Sequence, residues 1–311
     1  MRRVLLALLM ALAGAPAGVS AQPAQRAQLA AKFRDRLAEI ARTTDGVVGI
    51  SVIDLRSGER FGVNDTLTFP QGSAIKIPIL VELFRQAAAG TLSLDERLTV
   101  RAADQVGGTG ILNSFGNGLS AVSLRDLAVL MIVLSDNTAT NMLIDRVGMA
   151  AVNATMGTLG VPTVRLQRKM IQPGESAAGR ENIATAAQAA DLMRRIHRCD
   201  LPMPRPRCEE LRRILEIPKA GEFPASVPAT VRTAWKPGTV EGVETSWGLF
   251  ALPGNAYVVT AMVNYSDGAP GARALRLVAD AAYEYFRRLA RSSPFGVRVP
   301  LSVADTGNGR P

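Results

Sequence analysis

A chain of 311 residues with 47% apolar and 5% aromatic side chains can build a large core in two structural lobes, which excludes a disordered protein. Its formal charge of +9 is spread along helical stretches instead of forming a block, and aromatics for stacking bases are few, so nucleic acid is not an expected partner.

The first residues, MRRVLLALLMALAGAPAGVSAQ, combine Arg2 and Arg3 with an apolar run from Val4 to Leu12 and small residues at Val19 and Ala21. They predict a secretory leader, residues 1–21, cleaved near Ala21, and a periplasmic or secreted mature protein. The apolar run is too short to span a bilayer, and no later segment reaches the roughly 18 uncharged apolar residues that a stable membrane span needs. Without the two arginines the charge falls to +7.

From Gln25 to Arg42, Leu29, Phe33, Leu37 and Ile40 make one apolar helix face. VVGISVIDL and ERFGVN then read as a strand hairpin turned by Arg56, Ser57 and Gly58. Six helical segments follow between Gly72 and Leu215. Strand signals return in ATVRTAWKPG, SWGLFALPG and AYVVTAMVNY, before a last helix from Ala272 to Arg291 and a polar, frayed tail. Three late strands cannot close a core alone. Joined to the early hairpin they predict an α+β fold: a five-stranded antiparallel sheet flanked by the first and last helices, interrupted by an all-helical lobe. The expected division is residues 22–71 and 216–292 for the sheet lobe, 72–215 for the helical lobe and 293–311 for the tail.

The two cysteines, Cys199 and Cys208, flank a Pro-rich loop. In an oxidising compartment a local disulfide is favoured over a metal site, because His197 is the only histidine. Neither a metal nor another cofactor is expected. His197 lies among arginines on a helix, which argues against a Ser-His-Asp hydrolase.

FPQGSAIKIPIL, Phe69 to Leu80, places Lys76 one helical turn after Ser73 in an apolar run. Residues three apart share a helix face, so the hydroxyl and the amine can meet. Burial lowers the proton affinity of an unpaired amine, which suits it to act as a base for a nucleophile. The plainer alternative makes Ser73 an N-cap and lets Lys76 snorkel to solvent. Ser135, Asp136 and Asn137 stand at a break between two apolar helices, where an N-cap is again an alternative. Lys236 and Gly238 end a predicted strand, where a lysine is commonly solvated and glycine permits close backbone approach.

Together, S-x-x-K, S-D-N and the K-P-G-T run occur in the order and approximate spacing of S-x-x-K, S-D-N and K-T-G, and over nearly the whole mature chain the sequence resembles class A β-lactamases. The resemblance implies Ser73 as acylated nucleophile, Lys76 as its base or proton shuttle, and Ser135 as relay to the leaving nitrogen. It also implies Asn137 as a contact to the substrate amide, Lys236 as positive charge for Ser135 and a substrate carboxylate, and the backbone N–H groups of Ser73 and Thr239, beside Gly238, as oxyanion hole. The implied substrate is a small β-lactam or a cell-wall-peptide-like molecule, handled by a monomer. A D,D-peptidase-like or esterase-type serine acyl hydrolase, and a non-catalytic cell-wall-peptide-binding module, are the alternatives.

Three departures bear on that expectation. Where the family's surface loop carries the glutamate that activates the deacylating water, this chain has Met170 or Ile171; Glu175 and Glu181, further along, are candidate substitutes. At the loop ends Arg168 and Asn182 stand where the family pairs Arg with Asp, predicting a weaker clasp. Pro237 replaces the motif threonine. The next strand has no arginine for a carboxylate, and Arg232 either compensates or forms a structural ion pair.

Overall fold

The computed structural model describes residues 24–118, 121–221, 223–266, 268–293 and 296–298. The leader expected over residues 1–21 lies outside them, as does most of the tail. Five antiparallel strands form the main sheet in the order Arg60–Val63, Val47–Asp54, Tyr257–Asn264, Val243–Ala251, Arg232–Val240. The α+β expectation holds, including the pairing of the early hairpin with the late strands: Val47–Asp54 runs beside Tyr257–Asn264 over its whole length.

Helices cover both faces of this sheet, which is why its inner strands are almost continuously buried and show little polar alternation. One face packs on helices Ala24–Thr43 and Ala269–Ala290 through a chain of stacked rings. Phe33 stacks on Tyr285 at 4.4 Å between centroids, and Tyr257 lies between Phe286 at 4.2 Å and Phe250 at 4.9 Å. The other face meets the helical elements, with Trp247, Leu249, Val258 and Met262 in one core with Ile77, Leu80 and Phe84. Helix Ala186–Arg198 falls inside the numerical span of the helical lobe yet lies on this sheet face, where Thr260 Oγ1 donates to Ala186 O at 2.7 Å.

At the centre of the helical elements is helix Lys76–Ala88, mostly apolar and buried at every position from Lys76 to Phe84. Its buried Glu82 receives hydrogen bonds from Arg85, Gln86 and Thr155. Burial alone would raise the pKa of this carboxyl, and those donors outweigh it and hold it below its ordinary value. Short strands absent from the sequence expectation add two ribbons: Thr68–Pro70 pairs with Ile183–Thr185 and ties the lobes, and Arg97–Thr99 pairs with Ala121–Ser123 within the helical lobe. Ser292 and Ser293 likewise pair with Val297 and Gly296, so the segment expected to fray begins as a small ribbon. Among the described residues no helix is long and apolar enough to cross a membrane.

Cys199 and Cys208 are disulfide-bonded, their Cα atoms 5.7 Å apart, joining the end of helix Ala186–Arg198 to helix Arg205–Glu216. Replacing Cys199 by Ser is expected to lower unfolding free energy by about 2–3 kcal/mol, the chain-entropy value for so short a loop, measured by chemical denaturation. An unchanged denaturation midpoint contradicts it.

Candidate active site

Three backbone segments converge on one cleft of about 660 Å³ between the sheet edge and the helical elements. The first is a 3₁₀ turn, Gly72–Ile75, which carries Ser73 and hands over to the helix at Lys76; Pro78, in the first helical turn, needs no amide partner there. This turn and the edge strand touch backbone to backbone. Gly72 sits at φ +48°, where a Cβ would come 2.8 Å from Thr239 N; a Cβ on Gly238 would lie 2.2 Å from Gln71 O and 2.7 Å from Ser73 N. Both glycines are therefore required by contact, and that contact sets the Ser73 and Thr239 amides side by side.

Gln71 anchors the turn from below, and the sequence reading passed over it. Its Nε2 donates to Phe69 O at 2.8 Å and Ala184 O at 3.3 Å, while its Oε1 accepts from Trp247 Nε1 at 2.9 Å. Its carbonyl accepts from Thr245 Oγ1 at 2.9 Å. A glutamine beside a turn glycine in an otherwise apolar stretch was the available signal, since a fully buried amide must find partners.

The second segment is Ser135–Asn137. Asp136 is the N-cap of helix Asn137–Val147, accepting from Ala139 N at 2.8 Å; its other oxygen accepts from Ile111 N and Leu112 N. The cap alternative thus describes Asp136, while its two neighbours face the cleft. Ser135 takes φ +55°, turning its hydroxyl toward the lysines. The third segment, Arg232–Val240, is the sheet edge, where Pro237 costs no ladder partner on its open side.

Lys76 Nζ donates to Ser135 O at 2.7 Å, Asn137 Oδ1 at 2.9 Å and Ser135 Oγ at 3.1 Å. Lys236 Nζ donates to the same Oγ at 3.1 Å and to Pro237 O at 3.0 Å. Both lysines are essentially inaccessible to water, at 0% and 1% exposure. Burial pushes Lys76 down to about 7, opposed in part by the Asp136 carboxylate. It holds Lys236 well below its ordinary range, with the charges of Lys76 and Lys219 adding to the effect. The sequence expectation joined Lys76 to Ser73, whereas the hydrogen bonds of Lys76 run to Ser135 and Asn137: an ammonium has three donors, and these oxygens take all three. With two amines donating to it, Ser135 Oγ retains its own proton for an acceptor in the cleft.

Of the residues expected at the site, Ser73, Ser135, Asn137, Lys236, Gly238 and Thr239 line the cleft and Lys76 is buried against them. Glu175 and Glu181 do not line it. Glu175, at the surface, pairs with Arg180, and that hydrogen bond keeps its carboxyl below the ordinary range; Glu181 pairs with Arg168 at 2.9 Å. Arg232 is exposed beside Glu216, 3.8 Å away, the structural alternative for that residue. Among the described lining residues there is no Asp or Glu at all. Lys219, which the sequence reading did not single out, joins the lining from the segment before the edge strand.

The loop from Arg165 to Ile183 is firmly clasped despite Asn182. Asn182 Oδ1 accepts from Gln167 N and Arg168 N, and its Nδ2 returns a bond to Arg168 O. Asn141 pins Met170 at both backbone groups, 2.8 Å and 3.1 Å, so an apolar side chain occupies the loop position that faces the cleft. Ile171 follows at φ +57°, half exposed, a left-handed conformation that a β-branched residue adopts only under strain. Ile171→Gly is expected to raise unfolding free energy by about 1 kcal/mol, strain relief exceeding the glycine entropy penalty. Gly238→Ala should lower it by about 2 kcal/mol or more, since the new Cβ meets backbone atoms. Chemical denaturation of both variants checks the opposite signs.

Comparison with known proteins accords with this geometry. Residues 32–286 match the model of the beta-lactamase enzyme family. Beta-lactamase L2 of Stenotrophomonas maltophilia is 31% identical over 160 residues, and the matched stretch spans about half of each chain, 50% of this one and 52% of the relative. Among solved structures, a beta-lactamase from Sphaerobacter thermophilus superposes with a TM-score of 0.75 at 30% identity, over 83% of this chain and 97% of that one. A point mutant of PBP-A, solved as an acyl-enzyme complex with penicillin G, gives 0.75 at 27% identity, over 83% and 97%. With the family match running from the first helix to the last, this chain belongs to the beta-lactamase enzyme family.

Proposed function

We propose that the protein acts outside the cytoplasm as a monomeric serine hydrolase that opens the β-lactam amide by acylating Ser73, and that it releases the acyl group slowly. The observation that carries this is the Ser135 hydroxyl held by two buried amines beside the Ser73 turn. The Cys199–Cys208 bond suits an oxidising compartment, in support of export.

In this mechanism Ser73 Oγ attacks the lactam carbonyl while the Ser73 and Thr239 amides hold the developing oxyanion, an interaction of about 3 kcal/mol per donor. Lys76, whose proton affinity is matched to neutral pH, accepts the Ser73 proton, giving up its longest bond to Ser135. Ser135 passes its own proton to the leaving nitrogen and is resupplied by the amines that touch it. Asn137 stays available to an amide of the substrate through its carboxamide, which Lys76 and Gly107 O fix in orientation. Hydrolysis of the ester then needs an activated water. Among the described lining residues no carboxylate is present to activate it, and Met170 presents a thioether where a base would help.

That feature favours a second reading, a D,D-peptidase-like acyl transferase or hydrolase, over fast β-lactam turnover. It does not favour a binding-only module, for which two desolvated amines on one hydroxyl would be a cost without a use.

A chromogenic cephalosporin should give a burst equal to the enzyme present, then slow turnover, with the adduct on Ser73 by mass spectrometry. Ser73→Ala should abolish both phases. Met170→Glu should speed the slow phase roughly 10- to 100-fold, at or below the lower end of the roughly 10²- to 10⁴-fold that a positioned general base supplies. Glu175→Gln should leave it unchanged. Rapid turnover from the outset would overturn slow release, and absence of a Ser73 adduct would overturn the mechanism. The burst rate should rise with pH through about 7, because only the neutral Lys76 amine can take the proton; a rate that falls over that interval contradicts its role as base.

A further inference from the structure

We infer that Gln71 is a positioning residue for acylation: its buried amide and peptide groups hold the Ser73 and Thr239 N–H donors at one setting and tie that setting to the end of the loop that carries Met170. The inference rests on the proposed acylation of Ser73 and adds to it a residue that touches no reacting atom.

Three elements meet on Gln71. Its carbonyl accepts from Ala74 N at 3.1 Å, inside the turn that carries Ser73. The same carbonyl accepts from Thr245 Oγ1 at 2.9 Å, and that hydroxyl stands 3.2 Å from Gly238 O, one residue before Thr239 on the edge strand. On the loop side its N–H donates to Asn182 O at 2.9 Å and its Nε2 to Ala184 O at 3.3 Å, where the loop runs into strand Ile183–Thr185. The carboxamide itself is oriented by Trp247 Nε1 at one end and Phe69 O at the other. An indole N–H can only donate, so its partner on Gln71 is the oxygen. Gln71, Thr245 and Trp247 are all fully buried.

An apolar side chain of similar length would fill the same space and leave the turn free to rotate. Hydrogen bonds fix direction as well as distance. Direction matters here, because an oxyanion donor acts only when it lies roughly 2.7–3.1 Å from the place the oxygen will occupy, and a misplacement of about 1 Å can cost on the order of 100-fold in rate. The close approach of Gly72 to Thr239 N, and of Gly238 to Gln71 O, leaves no side chain between turn and strand to set their angle. That task falls to the Gln71 carbonyl and the Thr245 hydroxyl. A desolvated network is costly to leave half satisfied, so it holds one arrangement and transmits it between the loop end and the oxyanion donors.

The test compares wild type with Gln71→Met, which keeps the side-chain length and removes the carboxamide, and with Thr245→Val, which keeps the shape and removes the hydroxyl. Single-turnover kinetics with a chromogenic cephalosporin separate the acylation rate constant from the dissociation constant of the first complex. Infrared difference spectra of the adduct give the stretching frequency of the acyl carbonyl. Both variants should acylate roughly tenfold or more slowly, with the dissociation constant altered less than about twofold. The carbonyl stretch should move to higher frequency, because a carbonyl released from its donors has a stiffer bond. Loss of folded protein would lower the burst amplitude and leave the rate constant and the frequency of the remaining molecules unchanged, which separates positioning from stability. If Gln71→Met does not fold, Thr245→Val decides. An adduct on Ser73 whose rate constant and carbonyl frequency ignore the substitutions overturns the inference alone; absence of any Ser73 adduct in wild type overturns the proposed function and the inference with it.

Discussion

Two amines that water cannot reach meet on one hydroxyl, and much of the architecture serves to hold them there. Lys76 is buried because it opens a helix whose other residues form the middle of the helical core, and Lys236 because the sheet edge that carries it is roofed by the Ser73 turn. Desolvation is costly for either charge, and the cost is met by hydrogen bonds to Ser135, Asn137 and Pro237. Core packing and acid-base tuning are thus the same contacts seen from two sides. A substitution that loosened the helix would let water reach Lys76 and restore its ordinary proton affinity.

Close approach of backbones supplies the remaining geometry. Gly72 and Gly238 let the turn and the edge strand come together without intervening side chains, and Gln71 locks the turn to Trp247 and Thr245 from beneath. Asp136, fully occupied by three backbone amides, holds the opposite wall and contributes a negative charge that acts on Lys76.

The cleft is electrostatically one-sided. Cations lie in it and beneath it, while the nearby loop carboxylates Glu181 and Glu175, outside the described lining, are neutralised by Arg168 and Arg180. Such a site is well equipped to attract an anionic substrate and to move a proton during attack by serine. It is poorly equipped to activate a water afterward, because no described lining group accepts protons as a carboxylate does. The loop itself does not depend on an acidic residue for its shape, since Asn141 holds Met170 by backbone alone and Asn182 clasps the loop ends.

Fold class was legible because periodicity reports burial: the single apolar stripe of the first helix, the apolar run and turn of the hairpin, and the three late apolar strands each declare an element, and sheet closure demands that they join. The motif residues were legible as a set, since few other arrangements need Ser73, Lys76, Ser135 and Lys236 in that order. Hidden from the sequence were Gln71, whose partners Ala184 and Trp247 are distant in the chain, the place of Lys219 in the cleft lining, and the two short strand pairs. The same holds for the partners of Lys76, chosen by oxygens some sixty residues away and not by the serine one turn before it. By itself the sequence determined which residue types were present and which segments must be buried. Only the tertiary structure decided which donors met which acceptors and which carboxylates were kept out of the cleft, because hydrogen bonding and desolvation depend on positions in space that local spacing does not encode.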